Sequence, residues 1–365
     1  MTNYLLAGGG TAGHVNPLLA LADRLREREP NATVLALGTE AGLESRLVPA
    51  RGFELLTVSK LPFPRRPNRA ALQFPGRFRA LISEIEGMIA EHEIDVVVGF
   101  GGYVSAPAYL AAHRARVPIV IHEANARPGL ANRLGSRFTR FVGVTFPGTR
   151  LPHARVVGMP LRREIERLDR HARRSEAVEL FGLDPARLTL LVTGGSLGAV
   201  RVNETVFAAA ANILGAGWQI LHITGERSEL PASELAGYHQ VRYCDRMDLA
   251  LAAAGFAIAR AGSATVSELT ALGIPAAYVP LAIGNGEQWL NARSVTDAGG
   301  AITVDNAHFT PDWVSSTLVP LLQDRARIAD MAARTAAGGM RDGTDRLLAL
   351  VDEALAAEEQ QAGHG

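Results

Sequence analysis

Three times along this chain a short apolar run breaks into glycine and other small residues, then resumes with helical spacing. The first is Tyr4 to Ala7, followed by Gly8, Gly9 and Gly10, then Thr11, Ala12, Gly13 and His14 ahead of Leu18, Leu19, Leu21, Ala22 and Leu25. In the second, Leu188 to Thr193 meets Gly194, Gly195, Ser196, Leu197 and Gly198, and Val202, Val206 and Phe207 carry the next apolar face. In the third, Phe256 to Ala259 leads into Arg260, Ala261, Gly262, Ser263, Ala264, Thr265, Val266, Ser267 and Glu268. Each reads as strand, loop and helix. Glycine lets the backbone take positive φ and approach a ligand, and unpaired N–H groups at a helix start favour negative charge. In open parallel sheets ligands sit at the carboxyl ends of strands, so three such loops point to a polyphosphorylated or nucleotide ligand.

Between these loops the chain alternates. Further strands are expected at Asn31 to Leu37, Phe53 to Val58, Asp95 to Val98, Ile119 to Ile121, Phe141 to Val144 and Val156 to Pro160. In the second half they are expected at Gln219 to Ile223, Gln240 to Tyr243, Ala276 to Val279 and Ala301 to Val304. Strands alternating with helical stretches imply an α/β fold with parallel, doubly wound sheets, and a length of 365 residues suits two domains of ordinary size. The expected division is a Rossmann-like domain over 1–160 and a second over 161–342, facing across a cleft. A helix at about 343–357 packs back on the first, and 358–365 form a flexible tail.

The single cysteine, Cys244, cannot form a disulfide within the chain, which suits a reducing compartment such as the cytoplasm. No basic segment leads into an apolar one at the amino terminus, and stretches such as Leu249 to Ala259 fall short of the roughly 20 residues a span needs, so neither a secretion signal nor a membrane span is expected. Net charge is zero, but residues 1–160 hold 19 Lys+Arg against 12 Asp+Glu. That basic half calls for an anionic partner, nucleic acid or a membrane face. Residues 61–85 mix Arg65, Arg66, Arg69, Arg77 and Arg79 with Leu61, Phe63, Leu72, Phe74 and Phe78. The stretch fits an anionic bilayer, with apolar tips in the interface and arginines among head groups. It also fits a solvated loop whose aromatic residues pack back on the domain.

A diphosphate held by helix N-termini, by Ser196 and by an arginine near the hinge such as Arg162 suits a leaving group, because oriented donors stabilise the charge that grows on it in sugar transfer. No Asp-x-Asp carboxylate pair is present to hold a divalent metal on the diphosphate, and no cofactor is required. His14 is the best-placed general base for an acceptor hydroxyl, since imidazole titrates near neutrality. Its other reading is a helix-start histidine with a structural hydrogen bond. Glu268 suits a ribose diol. His122 and Glu123 read as a catalytic pair or as a hydrogen-bonded structural element, without metal-site spacing.

GGGTAGHVNP, GFGGYVSAP, HEANARPGLANR, GGSLGA, RAGSATVSEL and NGEQWLNA, in this order across both halves, resemble the MurG family of glycosyltransferases. The resemblance implies a GT-B fold and an inverting, metal-independent transfer of N-acetylglucosamine from UDP-N-acetylglucosamine to lipid I. The product is lipid II for the peptidoglycan of the bacterial cell wall, and so for cell shape and division. It implies His14 as base, with Thr11, Ala12 and Gly13 at the donor cleft and Asn125 on the donor sugar. Arg162 and Ser196 would meet the diphosphate and the backbone of Cys244 the uracil; Ser263, Ala264, Thr265, Val266, Ser267 and Glu268 would form the diphosphate and ribose loop, and Gln288 would read sugar hydroxyls. It further implies a peripheral position on the anionic cytoplasmic membrane face, docked through Leu72, Phe74, Arg77, Phe78 and Arg79, beside other cell-wall synthesis enzymes, with no nucleic acid partner. The sequence departs from the family pattern at Ala12, Leu197 and Glu287. Competing readings are another GT-B enzyme with a different lipid acceptor, a dinucleotide-dependent oxidoreductase, and a nucleotide-sugar-binding protein without turnover. The oxidoreductase ranks low, because no acidic residue closes the strand ending at Leu37 and Gly38.

Overall fold

The computed structural model describes residues 1–61, 64, 69–195, 197–281 and 286–362, without the side chains of 12, 69–71, 361 and 362. It divides into two compact units, one of residues 1–162 with 342–365 and one of residues 163–341.

In the first unit β1 (Asn3–Gly8), β2 (Thr33–Gly38), β3 (Glu54–Thr57), β4 (Val96–Gly101), β5 (Ile119–Glu123), β6 (Phe141–Val144) and β7 (Ala154–Val156) form a parallel sheet in the order 3-2-1-4-5-6-7. Runs such as Val96, Val97 and Val98 are wholly buried because helices cover both faces. One face packs on the helices Ala12–Arg28 and Gly343–Ala362, the other on Arg69–Glu91 and Ser105–Ala115. In the second unit β8 (Leu188–Thr193), β9 (Trp218–Ile223), β10 (Tyr238–Val241), β11 (Ala254–Ala259), β12 (Ala276–Tyr278) and β13 (Ala301–Thr303) are ordered 10-9-8-11-12-13. Both sheets thus carry the Rossmann order, with the reversal between β1 and β4 and between β8 and β11. The three small-residue loops follow β1, β8 and β11, three of those four switch-point strands.

Several boundaries differ from the sequence reading. The strand expected at Val156 to Pro160 is β7, Ala154–Val156, and the chain leaves the sheet where Gly158 takes φ +84°. The strand expected at Gln240 to Tyr243 lies two residues earlier, at Tyr238–Val241, where Tyr238 is buried. The last helix does not stop near 357 but runs to Ala362, so residues 358–362 are helical rather than a loose tail. Alanine, glutamate and glutamine there are strong helix formers. Its buried stripe of Leu347, Leu350, Val351 and Ala354 docks on the first unit, flanked by an Arg28–Asp352 pair at 2.8 Å and an Arg155–Glu353 pair at 2.7 Å.

Candidate active site

In the first unit the loop after β1 delivers His14 into the first turn of the Ala12–Arg28 helix, two residues inside its start. Thr11 is the extended N-cap, and its hydroxyl lies 3.3 Å from His14 Nδ1. The same nitrogen lies 3.1 Å from the carbonyl oxygen of Gly9. A carbonyl only accepts, so Nδ1 carries a proton, and in the neutral ring Nε2 has the lone pair. Nε2 faces the bare Cα of Gly101 at the end of β4, where a Cβ would lie 3.2 Å away. The residue type and the Nδ1–H tautomer are those of a general base.

Beneath the ring, His122 and Glu123 end β5, both buried. Glu123 accepts the N–H groups of Asn125 at 2.9 Å and Gly129 at 3.0 Å and the amide of Asn132 at 2.9 Å. Burial pushes its carboxyl up against those donors. Tyr109 donates to Asn132 Oδ1 at 2.7 Å, closing the network. Glu123 shapes the 123–132 loop and the His122 ring donates to Gly158 O at 2.9 Å, the hydrogen bonding of a structural element.

In the second unit the loops after β8 and β11 come together. Gly194, Gly195, Gly198, Arg260, Gly262, Thr265 and Gln288 line one cavity of about 450 Å³. The helices Val200–Ala208 and Ser263–Ala271 start on it, each through an extended cap residue with first-turn N–H groups unused by the helix. Gly198 sits at φ +84° against β9, where a Cβ would lie 2.2 Å from the carbonyl oxygen of Thr224. Arg260 is half-buried and anchored through Nη1 to Val279 O at 2.9 Å and Asn306 Oδ1 at 2.7 Å. A cavity with two helix starts and an arginine suits a diphosphate.

The glycosyltransferase family 28 N-terminal domain matches residues 4–144 and the family's C-terminal domain residues 189–347. A UDP-N-acetylglucosamine–N-acetylmuramyl-(pentapeptide) pyrophosphoryl-undecaprenol N-acetylglucosamine transferase of Leifsonia xyli is 62% identical over 98% of this chain and all of the relative. The protein of the same name from Streptomyces coelicolor is 52% identical over 98% of the chain and all of its own length. The crystal structure of Acinetobacter baumannii MurG is similar with a TM-score of 0.79 and 27% identity, over 97% of this chain and all of that one. The chain belongs to glycosyltransferase family 28, on its MurG branch.

Of the family 28 residues expected from sequence, Thr265 and Gln288 line this cavity of the second unit, while Thr11 and His14 stand together at the helix start with the backbone of Ala12 and Gly13. Gln288 Oε1 accepts the Leu281 N–H at 2.9 Å, so part of its amide shapes the cavity wall. Asn291, one turn on, donates to Ala261 O at 3.2 Å and ties that helix to the loop after β11. The Val266 side chain is 1% exposed and belongs to the core rather than to the cavity. Ser263 is buried at the helix start, whereas Ala264, Ser267, Glu268, Cys244 and Asn125 are half-buried and do not line the cavity. Arg162 ends the first unit, and the arginines lining the cavity are Arg201 and Arg260. Ser196, Phe63, Arg65 and Arg66 lie outside the described residues, as does the Arg69 side chain.

The 61–85 stretch is helical from Arg69 onward. Leu72 stands 84% exposed and Arg77 and Arg79 are exposed, but Phe78 packs on the core and Phe74 stacks on it at 5.4 Å. Of the five residues expected to dock, Leu72, Arg77 and Arg79 are the exposed ones. Among the described residues no helix is long and apolar enough to cross a membrane, and no three of His, Cys, Asp and Glu are grouped as metal ligands.

Proposed function

We propose that this chain transfers N-acetylglucosamine from UDP-N-acetylglucosamine to lipid I, the undecaprenyl-pyrophosphoryl N-acetylmuramyl-pentapeptide, releasing UDP and lipid II. The observation that carries the chemistry is His14 Nδ1 on the carbonyl of Gly9, which leaves Nε2 as the base. The acceptor hydroxyl oxygen attacks C1 of the donor sugar from the face opposite the diphosphate, so configuration inverts. As the new O–C1 bond forms, the proton passes to Nε2, the bond from C1 to the β-phosphate oxygen breaks, and its electrons leave with UDP. The helix starts at Val200 and Ser263 and the cation of Arg260 stabilise that charge more in the transition state than before it.

In this reading the second unit binds the donor, with Ser263 to Glu268 on diphosphate and ribose, the Cys244 backbone on uracil and Gln288 on the sugar. Asn125 meets the donor sugar, and Arg162 and Ser196 the diphosphate. The first unit binds the acceptor and rests peripherally on the anionic cytoplasmic membrane face, near other cell-wall enzymes. Exposed Leu72, Arg77 and Arg79 support that placement.

The deciding assay follows UDP release from UDP-N-acetylglucosamine with a lipid I analogue and, in parallel, with diacylglycerol. Release with the analogue alone is expected. No release, or equal release with the simple lipid, overturns the assignment and favours a different acceptor.

A further inference from the structure

The glycine loop after β1 has a partner that the sequence reading did not name. Glu44 opens the Glu44–Ala50 helix and is 1% exposed. Its Oε2 accepts the Gly10 N–H at 2.8 Å, and its Oε1 accepts the Thr39 N–H at 3.0 Å and the Thr39 hydroxyl at 2.9 Å. Three glycines make the slot. A Cβ on Gly9, Gly38 or Gly42 would lie 2.4, 2.4 or 2.0 Å from Glu44 side-chain atoms. Burial pushes the carboxyl up, but the donors from Gly10 and Thr39 outweigh it and hold the group below the usual carboxylate range.

The Gly10 N–H and the Gly9 C=O belong to one peptide group. The chain's described peptides are trans, so these two bonds lie in one plane and point in opposite directions. On one side the N–H donates to Glu44, and on the other the carbonyl receives His14 Nδ1 at 3.1 Å. Carboxylate, peptide and imidazole therefore stand in series. A carboxylate on the N–H polarises the amide and makes its carbonyl a stronger acceptor, since hydrogen bonds in a chain reinforce one another. The same contact occupies the loop N–H nearest Glu44, so an incoming phosphate does not take it.

We propose that Glu44 is a positioning residue for the transfer reaction, acting on His14 through the Gly9–Gly10 peptide as the buried carboxylate of a catalytic triad acts directly on its histidine. It fixes the ring orientation and the Nδ1–H tautomer, leaving Nε2 to take the acceptor proton. This rests on the reading of His14 as base, and the test separates the two.

The test is a double-mutant cycle of Glu44→Gln and His14→Ala in the full chain, with folding checked by circular dichroism, assayed for UDP release with a lipid I analogue. Glu44→Gln keeps the shape and removes the charge. Alone it is expected to lower kcat about tenfold with the donor KM within about twofold, and in the His14→Ala background to lower it no further, because coupled residues are not additive. A full additional loss in the His14→Ala background makes Glu44 merely structural and overturns the proposal. If His14→Ala by itself leaves kcat unchanged, the base reading fails first, a different result. Nitrogen NMR of the histidine rings gives a readout that needs no variant beyond the His14→Ala assignment control. His14 in the intact protein is expected to be protonated at Nδ1 when neutral, and an Nε2–H tautomer overturns the series arrangement without any substitution at Glu44.

Discussion

Gly102 lies flat against Gly9: a Cβ on Gly102 would sit 2.6 Å from the Gly9 carbonyl oxygen, the atom that receives His14 Nδ1. The loop after β4 thus closes over the loop after β1, and the absence of a side chain at 102 is part of how the imidazole is aimed. Gly102 also has φ +90°. Replacing it by alanine strains the backbone and drives the Gly9 carbonyl away. Gly102→Ala is expected to cut kcat by at least tenfold with a well-folded second unit and an unchanged UDP affinity. Wild-type turnover would show that the carbonyl is not needed where it stands.

His14 itself is the sharper case. A positioned general base contributes about 10²- to 10⁴-fold, so His14→Ala should lose turnover in that range while the KM for the donor barely moves, since His14 does not line the cavity proposed for the donor diphosphate. Steady-state kinetics at saturating acceptor measure both. A raised donor KM with kcat intact would mean that His14 binds the sugar nucleotide instead of taking a proton.

Arg260 carries a prediction for the other unit. It is one of two half-buried arginines lining the cavity of the second unit, and is held by Val279 and Asn306. A charge-assisted hydrogen bond contributes about 1.5 to 3 kcal/mol, so Arg260→Ala should weaken UDP binding about 10- to 100-fold by calorimetry. An unaltered dissociation constant would remove the arginine from the diphosphate site.

Glu44 and Arg260 mark the limit of what the residues disclose by themselves. The glycine loops were legible because each interrupts an apolar run at a strand end, and the alternation of strand and helix then places each at the carboxyl edge of its own parallel sheet. Glu44 gave no such signal. It opens an ordinary short helix 34 residues from Gly10, and only the pairing of β2 beside β1 brings its carboxylate to the loop. Arg260 was visible at the end of a buried strand, but nothing in the chain says that its neighbours across space are Gly194 and Gly195. The aromatic residues of 61–85 left two readings open for a related reason, and Phe78 takes the inward one: it falls on the stripe that continues through Leu81, Ile82 and Ile85 into the core, a helical register that prolines at its start obscure.

With Phe78 turned inward, the proposed membrane contact rests on Leu72, Arg77 and Arg79. Each basic residue near an anionic surface contributes about 1 kcal/mol. Arg77→Glu with Arg79→Glu should therefore reduce co-sedimentation with phosphatidylglycerol vesicles by at least tenfold at low salt, with solution turnover on a soluble acceptor retained. Equal sedimentation of variant and parent would return the stretch to a solvated helix face.

Two buried histidines set a pH dependence of stability, one in each unit. His122 Nε2 donates to Gly158 O at 2.9 Å, and His222 Nε2 donates to Asn203 Oδ1 at 3.1 Å, with the Tyr238 hydroxyl on its Nδ1. Burial lowers each to about 4, at His122 against the opposing hydrogen bond to Gly158. Unfolded, both titrate near 6.5. Above that pH the two states bind the same protons and the stability is intact. As pH falls from 6.5 towards 4 the unfolded chain takes up protons that the native protein does not, and stability declines by about 2 kcal/mol per histidine at pH 5. The window separates this from Glu44, whose lowered carboxyl loses its contribution only below the usual carboxylate range. Urea unfolding followed at pH 7, 6 and 5 should show a midpoint falling with pH, and His222→Gln should flatten the fall for the second unit while lowering its stability at pH 7. A midpoint independent of pH between 7 and 5 would mean that both rings gain their proton within the folded protein, in conflict with partners at His222 that already use both ring nitrogens.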